Sequence, residues 1–396
     1  MKNLSLKKLA GIVLLGAMLG ACSSNGKSNS NYSSTNSETM NIMASGKYAV
    51  PPVDGTGSAY GLVTLDKDSG ALSGQITVSN LSGPVSAAHI HQGLAGESGG
   101  ILVTLEVDSA NANQFNVPDG TVLDASAINA LLSAQAYVNV HTTANPAGEV
   151  RGQIVPSGYQ VIRSELKGEN EVPNAVATGN QGIGYVTVNT NSGAIQGSLK
   201  NSGLDDATAA HIHSGFAGNN GGIVVGLMQD SGDTTIWKIP VGTTLNTNQL
   251  VTLMDGGMYF NIHTPANPSG EVRAQIAPEN IHIARTVIDG SQQVPAVSTS
   301  ASGVGFTTVN TETGAIIANS WVSNLVPTAG HIHMGAAGST GGIVLALTQD
   351  SSEPALWTAT GTLDSNQLML FNNDELYYNF HSDAHPAGEI RGQIDG

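Results

Sequence analysis

Apolar and polar residues alternate in short runs along most of the chain. Such runs predict strands, because successive side chains of a strand point to opposite faces of the sheet. In the first 155 residues the runs cover residues 60–65, 74–78, 100–105, 137–141 and 150–154. Turn residues such as Asp68-Ser-Gly70 separate the early runs. The pattern predicts an all-β fold, an antiparallel β-sandwich with Greek-key-like connections.

One short helix is expected beside these strands. Asp124 precedes the segment 125–132, which is rich in Ala and Leu, and a carboxylate before such a segment accepts hydrogen bonds from the first free N–H groups of a helix. Asn246 and Asp364 stand at the corresponding places further along the chain.

Three blocks of sequence recur. His89-Ile-His91 returns after 122 residues, at 211–213, and after a further 120 residues, at 331–333. The blocks Tyr137-Val-Asn-Val-His141 and Gly148-Glu-Val-Arg151 recur with nearly the same spacing. Self-similarity at a fixed period indicates tandem domains. The predicted domains are residues 47–155, 159–277 and 281–396, joined by the short segments 156–158 and 278–280.

The N-terminus has the pattern of an export signal. Three lysines precede an apolar run of about eleven residues, which is too short for a membrane span of about 20. Residues 1–21 therefore predict a signal peptide. Leu19-Gly-Ala-Cys22 resembles a bacterial lipobox, which implies cleavage before Cys22 and acylation of that cysteine. The Ser- and Asn-rich residues 22–46 predict a flexible tether.

The signal peptide and the lipobox-like segment predict a protein of the cell envelope that is attached to a membrane by its lipid. Ser23 follows the cysteine, and by the sorting rule of enteric bacteria it favours the outer membrane over the inner one. Cys22 is the one cysteine of the chain, so the domains must be stable without disulfides or thiolate metal ligands.

The charge of the chain excludes one class of partner. Removal of the signal peptide takes away three lysines and no acidic residue, which changes the net charge from −16 to −19. Nucleic-acid binding requires a basic face, so no nucleic-acid partner is expected. Electrostatic docking on anionic lipids is disfavoured for the same reason.

Nine of the eleven histidines lie in the recurring blocks, three to a domain. Residues i and i+2 of a strand share a face, so the two histidines of each His-Ile-His should project together. Three neutral imidazoles suit zinc or copper and leave a fourth coordination position open. The candidate metal ligands are His89, His91, His141, His211, His213, His263, His331, His333 and His381.

Further polar residues recur beside the histidines, and they leave three interpretations open. They could form a second layer around a metal, in which the Glu orients an imidazole. They could instead form a purely structural network with Glu–Arg or His–Glu contacts, or a surface that grips a partner. These residues are Asn139, Glu149, Arg151, Asn261, Glu271, Arg273, Asn379, Glu389 and Arg391.

Two other recurring features have simpler explanations. The Gly-rich loop 92–100 is followed by an apolar strand rather than a helix, so its glycines indicate turn geometry rather than a phosphate site. The aromatic residues Phe115, Trp237 and Trp357 occupy matching positions and are expected in the three cores.

The recurring blocks together resemble the CHRD domain, a module named after the animal protein chordin and also found in secreted bacterial proteins. The resemblance rests on HIHxGxAGxxGGI, YxNxHT and NPxGExRGQI and extends to Glu171-Val-Pro173. Copy three departs from it at His385 and Ser382, which stand in place of Asn and Thr. The resemblance implies an extracytoplasmic β domain that acts in recognition or structure.

Two functions follow as hypotheses. The first, which simple repetition favours, is a non-enzymatic module that binds or scaffolds an unidentified protein or surface and holds one zinc or copper ion per domain, or no cofactor at all. The alternative is a mononuclear metalloenzyme of the envelope with redox or hydrolytic chemistry. A looser likeness to copper–zinc superoxide dismutase, which also carries an HxH pair on a strand, keeps that alternative open. This chain, however, has too few histidines per copy and no cysteine pair.

Overall fold

The structure is a computed structural model that describes residues 36–396. The predicted signal peptide 1–21, the predicted lipidation site Cys22 and most of the predicted tether lie outside these residues. Among residues 36–396, no helix combines the length and the apolar character needed to cross a membrane.

The described chain consists of three similar groups of strands, one for each repeat. Repeat one contains β1 Ser37–Ser45, β2 Ser58–Asp66, β3 Leu72–Ser79, β4 Val85–Gln92, β5 Ile101–Thr104, β6 Glu106–Val107, β7 Gln114–Asn116, β8 Ala136–Thr142 and β9 Val150–Val155. Repeat two contains β10 Tyr159–Lys167, β11 Gln181–Asn189, β12 Ile195–Ser202, β13 Ala209–Ser214, β14 Ile223–Gly226, β15 Met228–Gln229, β16 Ile236–Lys238, β17 Met258–His263 and β18 Val272–Gln275. Repeat three contains β19 Ile281–Asp289, β20 Ser302–Asn310, β21 Ala315–Ser323, β22 Ala329–Met334, β23 Ile343–Gln349, β24 Leu356–Thr362, β25 Leu376–His381 and β26 Ile390–Ile394.

Each repeat forms one antiparallel sheet that curls into a barrel. In repeat three the barrel is closed in the order β19-β20-β21-β24-β23-β22-β25-β26. Repeat one follows the same path, β5-β4-β8-β9-β1-β2-β3-β7-β6, and repeat two matches it. The difference lies in one strand, because β23 pairs with both β22 and β24, whereas the corresponding strand of repeat one is divided into β5 and β6. The predicted all-β fold of three tandem domains is confirmed.

One short helix lies in each repeat, as predicted. The helices are α1 Ala125–Leu132, α2 Thr247–Met254 and α3 Ser365–Asn372. The side chains of Asp124, Asn246 and Asp364 each accept a hydrogen bond from a backbone N–H in the first turn, so all three predicted caps are confirmed. Short 3-10 turns follow the first strand of each repeat, at Gly46–Tyr48, Gly168–Asn170 and Gly290–Gln292.

The predicted beginning of the first domain is wrong. Residues 37–45, assigned to the tether 22–46, form strand β1, which pairs with β2 along its whole length and with β9. Met40, Ile42 and Ala44 alternate with exposed residues and are buried in the core. The polar composition around them concealed this period-two pattern, and the domain therefore begins before residue 47.

The core of each barrel holds the inward-facing side chains of its strands. Phe115, Trp237 and Trp357 are all buried there, as predicted. Ile90, Val138 and Val140 point into the core of repeat one from β4 and β8, so the intervening residues of these strands face outward.

The burial of β1 leads to a test of where the first domain begins. Ile42→Ala should lower the free energy of unfolding by about 2–5 kcal/mol, because it leaves a cavity in a packed core. Met43→Ala, next to it on the outer face, should change that free energy by no more than about 0.5 kcal/mol. Urea unfolding of the full chain, followed by far-ultraviolet circular dichroism, measures both. Equal, small effects would mean that residues 37–45 are not part of the domain.

Candidate metal centre

Three neighbouring strands of each barrel carry the candidate residues on their outer faces. In repeat one, His89 of β4 lies opposite Asn139 of β8, which lies opposite Arg151 of β9. His91 and His141 lie two residues further along β4 and β8, so their side chains point to the same outer face. The structure thus brings each predicted His triad, its Asn and its Arg to one surface, and the same registers occur in the other repeats.

The three imidazoles of each triad converge. One nitrogen atom from each of the three histidines lies within 4.8 Å of the others, in all three repeats. One member of each triad is buried and the other two are partly exposed. The converging triads are His89, His91 and His141; His211, His213 and His263; and His331, His333 and His381.

Backbone carbonyls select the tautomer of two histidines in each triad. Nδ1 of His91 lies 3.0 Å from the carbonyl oxygen of Gly99, and Nδ1 of His141 lies 2.9 Å from that of Pro146. A carbonyl oxygen only accepts, so each Nδ1 donates and each Nε2 keeps its lone pair. Distances of 2.9–3.0 Å recur in repeats two and three, where the acceptors are Gly221, Pro268, Gly341 and Pro386.

The remaining histidine turns Nδ1 toward the same point. Nδ1 of His211 lies 3.0 Å from Nε2 of His263, and the matching distance between His331 and His381 is 3.1 Å. Two nitrogens bound to one tetrahedral zinc at about 2.0 Å would stand roughly 3.3 Å apart. The observed separations fit a hydrogen bond between the two imidazoles and are also close to those of a shared ion.

Several buried nitrogen atoms at these sites have no hydrogen-bond partner among residues 36–396. Nε2 is unpartnered in the second histidine of every triad, and so is Nδ1 of His89. Buried polar atoms without a protein partner are usually met by an ordered water molecule or an ion. Nε2 of His141 has a possible partner in Asn139, but the distance to Nδ2 of Asn139 is long, at 3.4 Å. The same amide group donates to the carbonyl of Ala147.

Burial keeps most of the imidazoles neutral. It lowers the pKa of both histidines of each His-Ile-His, and neighbouring histidines lower it further. Burial also lowers the pKa of His263, although its hydrogen bond to Pro268 acts in the opposite direction. Neutral imidazoles are the form that binds a metal ion.

A stacked column supports the second histidine of each triad. Tyr137 lies parallel to His91 with ring centroids 5.1 Å apart, and Cζ of Arg151 lies over the tyrosine ring, 3.5 Å from its centroid. The same stacks occur in the other repeats, with Tyr259 and Tyr377. The tyrosines were missed as site residues, although each stands two positions before the recurring Asn.

The glutamates do not reach the histidines. Glu149 accepts hydrogen bonds from the backbone and side chain of Ser82, from Thr142 and from Asn145. Burial alone would raise the pKa of Glu149, but these hydrogen bonds lower it. Glu271 and Glu389 hold the same loop in the other repeats.

The expectation that the Glu directly orients an imidazole or pairs with the Arg is therefore wrong. The guanidinium of Arg151 instead donates to the carbonyl of Leu94. Glu149 fixes the loop that carries Pro146, and the Pro146 carbonyl orients His141. The role of the glutamate is thus indirect. Ser382, which replaces the threonine in repeat three, keeps the hydrogen bond to Glu389.

The residue that contacts the recurring Asn in repeat three is a different residue in the other repeats. In repeat three Nε2 of Gln293 donates to Oδ1 of Asn379 at 2.6 Å. Repeat two has Glu171 there, and both the Glu171 Oε1 and the Asn261 Oδ1 lack a partner among the described residues. Burial raises the pKa of Glu171 to about 7, against the opposing charge of Arg273.

Comparison with known proteins identifies one family. The family model described as the CHRD domain matches the chain three times, at residues 40–154, 162–276 and 284–394. Neither a curated protein nor a solved structure matches the chain.

Glu171 should make repeat two sensitive to pH. Between pH 4.5 and about pH 7 the unfolded chain releases this proton while the folded chain retains it, so stability falls as the pH rises through that range. Glu171→Gln supplies the amide found in repeat three and removes this loss of stability at high pH. At about pH 8 it should raise the free energy of unfolding by about 1–3 kcal/mol, and near pH 4.5 it should have little effect.

Urea unfolding at the two pH values tests this, with Glu169→Gln at the surface as the control for loss of one carboxylate. A gain of equal size at both pH values would contradict an origin in the ionisation of Glu171.

Proposed function

Because this chain belongs to the CHRD-domain family in each of its three repeats, we propose that it is a binding module of the cell envelope that holds one zinc or copper ion in each domain. The proposed ligands are the converging nitrogens of the three His triads. This single observation, repeated three times in one chain, carries the proposal.

The hydrogen bonds around the histidines favour a metal site over a purely structural network. A network that existed only to satisfy polar groups would use both nitrogens of each imidazole. In repeat one the Nδ1 hydrogen bonds of His91 and His141 leave the opposite nitrogens directed at one point, whereas in repeats two and three Nε2 of the third histidine also lies within hydrogen-bond distance of the first. Nε2 of His91 is buried there without a partner within the described chain.

The ligand set favours transition metals. Magnesium and calcium prefer oxygen ligands, whereas neutral imidazoles bind zinc and copper. A histidine ligand commonly donates its other N–H to a carbonyl or carboxylate, which fixes the ring and raises its basicity. The carbonyls of Gly99 and Pro146 are placed for this role.

The position in the cell is part of the same proposal. The lipobox-like segment that ends at Cys22 supports attachment by an acyl anchor, and Ser23 favours the outer membrane over the inner one. The domains would then meet a protein or surface partner outside the cytoplasm. The acidic charge of the chain disfavours nucleic acid as that partner.

Partial exposure of the triads supports a second candidate, a metalloenzyme. His89 and His141 are partly exposed, so a metal held by three histidines could take a small external ligand in its fourth position. Superoxide dismutation or hydrolysis by the metal-loaded protein would favour this candidate over the binding module.

The metal proposal is tested with His89→Ala. Nδ1 of His89 has no partner within residues 36–396, so a structural role predicts little effect, whereas a metal role predicts loss of one site. We expect the full chain, purified without a His tag, to bind three equivalents of zinc or copper and the variant to bind two. Ion concentrations of 100 times the Kd should stabilise the parent by about 2.7 kcal/mol per domain.

His385→Asn is the matched control for the removal of a histidine. Asn145 and Asn267 occupy this position in repeats one and two, and His385 belongs to no triad. The control should retain three equivalents. A parent chain that binds neither ion more tightly than about 1 mM would refute the proposal.

Attachment through Cys22 is tested separately. Cys22→Ala removes the thiol that an acyl chain requires, so we expect the protein to move from the membrane fraction to the soluble fraction of the producing cells. Immunoblots of the two fractions measure this shift, and Ser24→Ala provides a control. An unchanged membrane fraction would show that the chain is held there by something other than the acyl group.

A further inference from the structure

The contacts between successive repeats use the same two elements each time. The loop after His-Ile-His of one repeat lies against the second strand of the next. A Cβ atom on Gly96 would stand 2.6 Å from the Tyr185 ring, and one on Gly218 would stand 2.7 Å from the Phe306 ring. Glycine is required at both places, since both have positive φ and both touch an aromatic side chain.

Polar contacts fix the same loop on its neighbour. Nδ2 of Asn319 donates to the carbonyl of Ala217 at 2.8 Å, and Nε1 of Trp321 donates to that of Gly218 at 2.8 Å. Ala217 is buried in a small apolar cluster with Phe306 and Val172, and Ala95 is buried at the matching place in repeat one.

Within residues 36–396, the first repeat has the acceptor half of this contact and no other repeat lies on it. Leu62 occupies the position of Tyr185 and Phe306 in the strand register. Leu62 pairs with Asn41, Tyr185 pairs with Arg163, and Phe306 pairs with Arg285, at the same place in each repeat. Tyr185 and Phe306 are only 5% and 3% exposed, whereas Leu62 is 44% exposed. Tyr60, on the same face of β2, is 63% exposed.

Among the described residues, no other repeat lies against the loop half of this contact in the third repeat. Ala336, Ala337 and Gly338 are exposed, and no described atom lies within 4 Å of a Cβ placed on Gly338. The φ of Gly338 is +80°, compared with +82° and +81° for Gly96 and Gly218. The loop therefore has the docking conformation although no described residue of another repeat is docked on it.

Both halves can be engaged at once. Repeat two receives the loop of repeat one on Tyr185 while its own loop, at Gly218, lies on repeat three. The contact that repeat one makes with repeat two therefore does not by itself prevent another loop from reaching Leu62.

We propose that the loop 336–338 of one copy of this chain docks on the Tyr60 and Leu62 face of a second copy, continuing the contact between repeats from molecule to molecule. Such a head-to-tail contact joins two different surfaces, so it produces open arrays or, if the rotation closes, rings. None of the residues named for this contact is a proposed metal ligand.

Two differences make this contact weaker than those within the chain. Ala336 replaces Leu94 and Phe216, which reduces the apolar area at the loop. Asn41 replaces an arginine that in repeat three, as Arg285, donates to the carbonyl of Glu169. Assembly should therefore depend on concentration rather than be permanent.

The experiment is sedimentation velocity of the full chain in a Cys22→Ser background, where no acyl chain contributes to association. Over about 1 µM to 1 mM the parent should change from monomer to larger species. Leu62→Asp on the acceptor face and Ala337→Asp on the loop should each remain monomeric. Val241→Asp, at another fully exposed apolar site, should assemble like the parent.

Mixing the two monomeric variants gives the decisive result. Leu62→Asp keeps an intact loop and Ala337→Asp keeps an intact face, so the mixture should form dimers and nothing larger. A parent that stays monomeric throughout, as it would if residues before 36 cover the face, overturns the proposal. So does assembly that persists in either variant, since that requires a different surface.

Discussion

The strand register of β4, β8 and β9 is the constraint on which the rest of each domain depends. Side chains alternate across a sheet, so a slip of one residue would carry the histidines into the core and expose Ile90 and Val138. Burial of those apolar residues therefore places His89, His91 and Asn139 on the outer face. The convergence of the imidazoles follows from packing on the opposite side of the same strands.

Much of the fold could be predicted from the sequence, because apolar and polar residues alternate along the strands and the same blocks recur in each repeat. The three domains, their strands and the capping residues of the helices follow from local patterns that every repeat satisfies. Strand β1 was missed because Ser and Asn dominate its surroundings, although the strands that begin repeats two and three start at equal intervals of 122 residues after Ser37. Comparison among the copies carried the information that composition concealed.

Other parts of the site could not be predicted, because they depend on how loops close. Nothing in the sequence says that the Gly99 carbonyl faces His91 or that Glu149 binds Ser82, 67 residues earlier. Every residue has a backbone carbonyl, so a hydrogen bond to one leaves no pattern of residue types in the sequence. The Tyr137 column is an intermediate case: its residues recur beside the histidines, but only the fold shows that ring, imidazole and guanidinium stack.

The loop after His-Ile-His serves the site and the contact between repeats at the same time. In repeat one its Leu94 carbonyl accepts from Arg151 and its Gly99 carbonyl accepts from His91, while Gly96 rests on Tyr185 of the next repeat. Two events that act on one short loop are thermodynamically linked, and such linkage is reciprocal. Force that separates the repeats would therefore disturb the imidazoles, and whatever fixes the imidazoles would stiffen the chain against extension.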